Sequence, residues 1–400
     1  MSEQALSDVK VVDLTHHVAG PYCTKLLADY GAEVIKIERP GAGDPARQMG
    51  PFYQDDPHPE KSGLFLHLNT NKKSLTLNLQ TATGKSALLE LVKDADILVE
   101  NFRPGVLEEL GLDYQTLSKV NPQLIMTSIS NFGQTGPYRD YKSTEMISFG
   151  MGGIMFRHGE PDREPLKYAG VVLQCFAGLN GAAATMCAYM GAMLGGPGQY
   201  LDISIMECLA GAVDRQILRY SYTGEVAERV GSRREGNYPS GIYPCGDGFV
   251  HVATLGIRGW PRVAKMLEMP ELVTDPMFAT AAARRLHHDD FEVFFYPWLL
   301  ERNKMEVFHA AEAERVMSGP VYSIDELFTD PHYQARKMFT EIDHPVTGPL
   351  TYPAAPFKMS ESPWQGKRAP LLGEHNQEIL GERLGYSPED LVKLRETGVI

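Results

Sequence analysis

The 400-residue sequence lacks most of the marks that place a protein in a class at once. No apolar run approaches the roughly 20 residues that span a bilayer, and the opening MSEQALSDVK lacks the basic-then-apolar order of a secretory signal. A cytoplasmic protein is therefore expected, with no membrane association. Cysteine is sparse: five residues (Cys23, Cys175, Cys187, Cys208, Cys245), an odd number without a CxxC pair. That pattern reads as reduced thiols and speaks against a disulfide frame or a zinc site. Positive charge is in deficit, 38 Lys and Arg against 51 Asp and Glu, for a net charge of −13 with the two signs interspersed. Nucleic acid is thereby a poor partner, although local basic loops can still hold an anionic cofactor. At the first strand–helix turn there is neither GxGxxG nor GxxxxGK[ST], so neither nucleotide fingerprint applies.

What is present is a strand–helix rhythm. VKVVDL (9–14), EVIKIE (33–38), KSLTLNL (73–79), DILVEN (96–101) and QLIMTSIS (123–130) read as strands. AGPYCTKLLADYGA (19–32) and TGKSALLELVKDA (83–95) have apolar residues at helical spacing. Such alternation predicts βαβ units around a parallel sheet. Ligands of these sheets bind at the carboxyl edge, where loops 15–20, 39–50 and 101–106 are expected. GLNGAAATMCAYMGAML (178–194) predicts a small-residue helix packed closely in a core.

From about residue 225 the style changes. GIYPCGDGFVHVAT (241–254) reads as a hairpin, and helical segments follow at 259–269, 289–302 and 304–315. The domain expectation is a large α/β domain over 1–200, a linker over 201–225, a smaller α+β domain over 226–325, and a return to the large domain over 326–400. Basic loops carry Arg39 and Arg47, Lys72 and Lys73, and Arg103, which together suggest a phosphorylated small molecule. Solvated loop cations are the plainer alternative.

Taken together, long motifs in a fixed order resemble CoA-transferase family III, the group that includes formyl-CoA transferase, carnitine CoA-transferase and α-methylacyl-CoA racemase. They run from VVDLTHHVAGPYCTKLLADYGAEVIKIERPGAGDPAR through NTNKKSLTLNL, VENFRPGVLEELGLDY and GGPGQYLDISIMECLAG to APLLGEHNQEILGERLGYSPEDLVKLRETGVI. The resemblance implies a Rossmann-like large domain built from both chain ends, a smaller middle domain, and two chains interlocked like links. Coenzyme A, brought in as an acyl-CoA, would lie on the large domain, with no metal. The positions that match the family's CoA contacts are His17, Val18, Arg39, Lys72, Lys73, Asn101, Phe102, Arg103, Val106 and Lys142.

The family's chemistry runs through one aspartate, which becomes acylated and then carries CoA as a thioester. The matching residue in VVLQCFAG is Gln174. Its amide has no charge to attack with. Val18 also departs from a family glutamine and Thr144 from a tyrosine, while Glu145 is kept as an orienting carboxylate. A glycine-rich loop of formyl-CoA transferase is matched only by the scattered glycines of 231–241. Three accounts of Gln174 stand: a non-catalytic subunit with a homologous Asp-bearing partner, an engineered Asp→Gln replacement in a self-sufficient enzyme, or another nucleophile such as Cys175. Among heteromeric members, the resemblance is greatest to those that move CoA from succinyl-CoA to (R)-benzylsuccinate in anaerobic toluene breakdown. A CoA-binding scaffold without catalysis is the reading from a different class.

Overall fold

The computed structural model describes residues 4–212, 215–232, 237–256 and 258–400. Two compact units emerge, one made of 1–154, 167–217 and 332–400, the other of 155–166 and 218–331. The first unit opens with β1 (Lys10–Asp13), α1 (Ala19–Ala28), β2 (Glu33–Glu38), α2 (Gly63–Leu68), β3 (Lys73–Thr76) and α3 (Ala82–Lys93). It continues through β4 (Ile97–Glu100), α4 (Val106–Leu110), α5 (Tyr114–Val120), β5 (Ile125–Ser130) and α6 (Glu145–Met151). Then come α7 (Val172–Met193), β6 (Gln199–Ser204) and α8 (Ile205–Gly211).

The six strands form one parallel sheet in the order β3-β2-β1-β4-β5-β6. Strand order therefore reverses between β1 and β4, the doubly wound arrangement, and opens a crevice at that switch point. The central strands read as continuous apolar runs because helices cover both faces; all six residues of β5 are buried. One face packs on α3 and α5 through Leu88, Leu91, Leu98 and Leu117. The chain's end closes the same core with Ile379, Leu380, Val399 and Ile400. On the other face, α7 lies against α1 and β5. An added Cβ at Gly178 would stand 2.5 Å from the carbonyl oxygen of Ala19, and one at Gly181 would stand 2.9 Å from Ile129 Cδ1. The small residues thus let backbones approach, as the composition of 178–194 predicts.

The described structure corrects three expectations. Residues 201–211, read as part of a linker, are β6 and α8 of the first unit. Residues 155–166, read as large domain, belong to the second unit. Helix α7 starts at Val172, six residues before the small-residue run, so Gln174 lies inside its first turn rather than ahead of it.

In the second unit, β7 (Ser240–Cys245), β8 (Gly248–Ala253) and β9 (Met317–Pro320) form an antiparallel sheet. Helices Gly259–Met266, His288–Leu300 and Lys304–Ala313 cover it around an aromatic core of Tyr243, Trp260, Phe291 and Phe295. Positions 233–236 of the 231–241 loop lie outside the described residues. Back in the first unit, β10 (Phe339–Ile342) and β11 (Leu350–Pro353) form a hairpin that packs Ile342 and Tyr352 on Phe65 and Leu66.

Candidate functional site

At the carboxyl edge the loops after β1 and β4 are stapled together. Asn101 Oδ1 accepts from the His16 backbone N–H at 2.7 Å, and Asn101 Nδ2 donates to the His16 carbonyl at 2.8 Å. The His16 ring meets Phe102 edge-on at 5.1 Å. Burial, helped by the nearby Lys36 charge, pulls its imidazole down to about 4, so it is neutral at pH 7. His17 takes a left-handed backbone (φ 64°) and donates its N–H to Asp44 Oδ1 at 3.0 Å. That bend delivers Val18 to the start of α1, where it is 4 % exposed.

Beside this staple runs a cleft of about 640 Å³ at the carboxyl ends of β1, β2 and β3. Among the sequence candidates, Arg39, Phe102 and Val106 line it, next to His16. His17, Val18 and Asn101 frame the loop at its rim. Arg103 and Lys142 are exposed and line no part of it. Sequence reasoning missed Leu77, Asn78, Leu79 and Gln80, which form one wall. It ran the third strand on to residue 79, whereas β3 ends at Thr76 and the chain leaves the sheet there.

Lys72 and Lys73 do not join this group. Lys72 Nζ is enclosed, 3.1 Å from Asp13 Oδ2, and donates to the Pro21 carbonyl, Thr24 Oγ1 and Asn69 Oδ1. Desolvation pulls it down to about 8 against the pull of Asp13. Burial alone would raise the Asp13 carboxyl, but Lys72 and Lys36 hold it far below the ordinary carboxylate range. Lys73 begins β3, at the amino end of the sheet, and pairs with Glu33 at 2.8 Å and Glu378 at 2.7 Å. Arg47 is equally occupied: Glu38 and Glu60 grip it at 2.7 and 2.6 Å, and its guanidinium lies 3.6 Å over the Phe65 ring. All three are engaged in internal ion pairs.

Gln174 sits one turn before Gly178 on the side of α7 that meets α1. The α7 N-terminus has no side-chain cap from Val171. Instead Glu145, first residue of α6, accepts from the Leu173 N–H at 2.9 Å through Oε1, and its Oε2 is buried without a partner. Thr144 caps α6. The Gln174 amide is half-buried and makes no hydrogen bond among the described residues. Burial, with Glu145 adding, pushes the neighbouring Cys175 thiol up to about 11, which removes it as a ready nucleophile.

A doubly wound sheet with a cleft at its switch point is the setting in which open α/β proteins bind their ligands. The chain belongs to CoA-transferase family III, whose model matches residues 6–376. It is 37% identical over 99% of its length to a succinyl-CoA–D-citramalate CoA-transferase of Chloroflexus aurantiacus, covering 98% of that protein. It is 34% identical to a succinate–glutarate CoA-transferase of Agrobacterium fabrum, over 94% of this chain and 95% of the other. A CaiB/BaiF family protein from Brucella suis superposes with a TM-score of 0.86 at 31% identity, over 95% of this chain and 99% of that one. The substrates of such transferases are acyl-CoA thioesters and carboxylic acids.

Proposed function

We propose that this chain is the non-catalytic subunit of a succinyl-CoA-dependent CoA-transferase and works beside a homologous subunit that carries the nucleophilic aspartate. The observation that carries the reading is Gln174. It occupies the first turn of α7, where Glu145 holds the helix start and where the helix dipole favours a carboxylate. An amide there carries no net charge, and an acylated amide does not pass its acyl group to a thiolate. Cys175, the nearest alternative, is un-ionised at neutral pH.

Coenzyme A is assigned to the cleft lined by Arg39, Phe102, Val106 and Leu77–Gln80, with Arg39 as the lining cation for its phosphates. The acceptor is read as a dicarboxylic acid, with (R)-benzylsuccinate as the particular candidate. Citramalate and glutarate, in the names of the two relatives, are dicarboxylic acids as well. A partner chain is supported by apolar side chains left in solvent: Met146, Ile147 and Met151 on α6, and Leu179, Met190 and Met193 on α7. An interlocked pair of different subunits would cover them.

The test is intact-mass spectrometry after incubation with succinyl-CoA, on the chain alone and in complex with its Asp-bearing homologue. No adduct on this chain is expected, while the partner gains acyl or CoA mass. An adduct on this chain alone would overturn the reading, and peptide mapping would name its nucleophile.

A further inference from the structure

A second cavity, of about 460 Å³, lies on the other side of α4 from the cleft. Val106, Glu109 and Leu110 face the cleft, whereas Leu107 and Glu108 face the second cavity; the two share no lining residue. Its floor is the carboxyl end of β4 and the strands beyond it. There Glu100, 4 % exposed, accepts from the Phe102 N–H at 2.7 Å and pairs with no cation among the described residues. The buried carboxylates of Asp13, Asp29, Glu38 and Asp44 all face a lysine or arginine. Ser128, 1 % exposed, lies close enough to Glu100 and Tyr200 to ease the charge on each, yet its hydroxyl forms no well-aligned hydrogen bond. The Tyr114 and Tyr200 rings stand 5.7 Å apart on one wall.

We propose that this cavity binds a small organic cation, an amine with an apolar or aromatic body, whose ammonium sits on Glu100 and Ser128 and whose body lies against Tyr114 and Tyr200. An ammonium group is donor-only, and this wall offers it a carboxylate, a hydroxyl and aromatic faces. Glu108 and Asp113 add two further acids against a single arginine, Arg103, so an anionic acid or a phosphate is disfavoured. A hard metal ion prefers a shell of oxygens to aromatic walls.

Burial raises the Glu100 carboxyl to about 7, with Glu108 and Asp202 adding to it and Ser128 and the Phe102 N–H opposing. The other charged or titratable groups on these walls are Arg103, Asp113, which caps α5, and the tyrosines; Tyr200 is raised to about 12 and stays neutral. A bound ammonium therefore displaces a proton from Glu100 and supplies the counter-ion that the fold leaves out.

Calorimetric titration of the full chain with benzylamine at pH 8 tests this. One site with a Kd of about 1 mM or tighter is expected, unchanged by saturating CoA. Affinity falls about tenfold per pH unit below 7, where the proton competes. Glu100→Gln should weaken binding at least tenfold. Absence of binding by the wild-type chain, displacement by CoA, or equal affinity of Glu100→Gln would overturn the proposal. If Glu100→Gln fails to fold, Tyr200→Leu replaces it: a loss of about tenfold supports the site, and unchanged affinity sinks it.

Discussion

The two halves of the parallel sheet treat buried charge in opposite ways. On the β1–β3 side every buried carboxylate meets a cation: Asp13 with Lys72, Asp44 with Lys36 at 2.8 Å, Glu38 with Arg47. On the β4–β6 side Glu100 is also deeply buried and has none among the described residues. The first half is closed electrostatically, and its buried lysines and arginine are spent before any ligand arrives. The second leaves a charge open. A basic residue next to a ligand edge is thus informative only once its own partner is known, and an acid without one says more than a lysine with four.

The comparison breaks most violently at Lys72. Lys72→Met takes from buried Asp13 its paired cation and leaves it only the nearby Lys36, and should lower the unfolding free energy in urea by about 3 kcal/mol. A loss below 1 kcal/mol would mean the first half is not held by its ion pairs. Glu100 should behave in the contrary sense. Its folded carboxyl is raised from 4.5 to about 7, so the folded state keeps a proton that the unfolded chain gives up between those values. Stability accordingly drains away as pH rises through that window. Glu100→Gln should gain about 3 kcal/mol at pH 8 and nothing below pH 4.5, read from urea midpoints at both values.

Arg39 sharpens the contrast at the cleft. Exposed and lining it, this residue should tolerate Arg39→Ala within about 0.5 kcal/mol of stability, while CoA binding by calorimetry weakens about tenfold. The smallest effect belongs to Lys73→Ala. Its two pairs are a third exposed, so unfolding should shift by less than about 1 kcal/mol, with CoA affinity unmoved. A tenfold loss of CoA affinity in that variant would return Lys73 to the binding site.

Strand positions were legible because buried parallel strands leave apolar runs such as EVIKIE, which matches β2 residue for residue. The small-residue helix was legible in kind but not in its start. Val171 offers no cap, and the α7 start is fixed by Glu145, 28 positions away from Leu173. Charge pairing was illegible for the same reason: Asp13 and Lys72 are 59 positions apart. NTNKKS therefore looks like an offered pair of cations, when one is enclosed and the other faces the amino end of the sheet. The alternating KSLTLNL continues past the point where the chain turns off to form the cleft wall, so Leu77–Gln80 were hidden inside an apparent strand. Gln174 itself was found by motif, and the helix around it only by structure.

The placement of Gln174 in the first turn of α7 has a consequence at the level of the gene. A carboxylate at 174 would stand in the first turn of a helix, where the dipole favours negative charge, beside the Glu145 that holds the helix start. Glutamine and aspartate codons differ at two bases, and no single change converts one into the other. Glutamate is one base away, but it sets the carboxylate a methylene further out. If the proposed non-catalytic role holds, the genetic code rather than the fold stands between this chain and an aspartate at position 174.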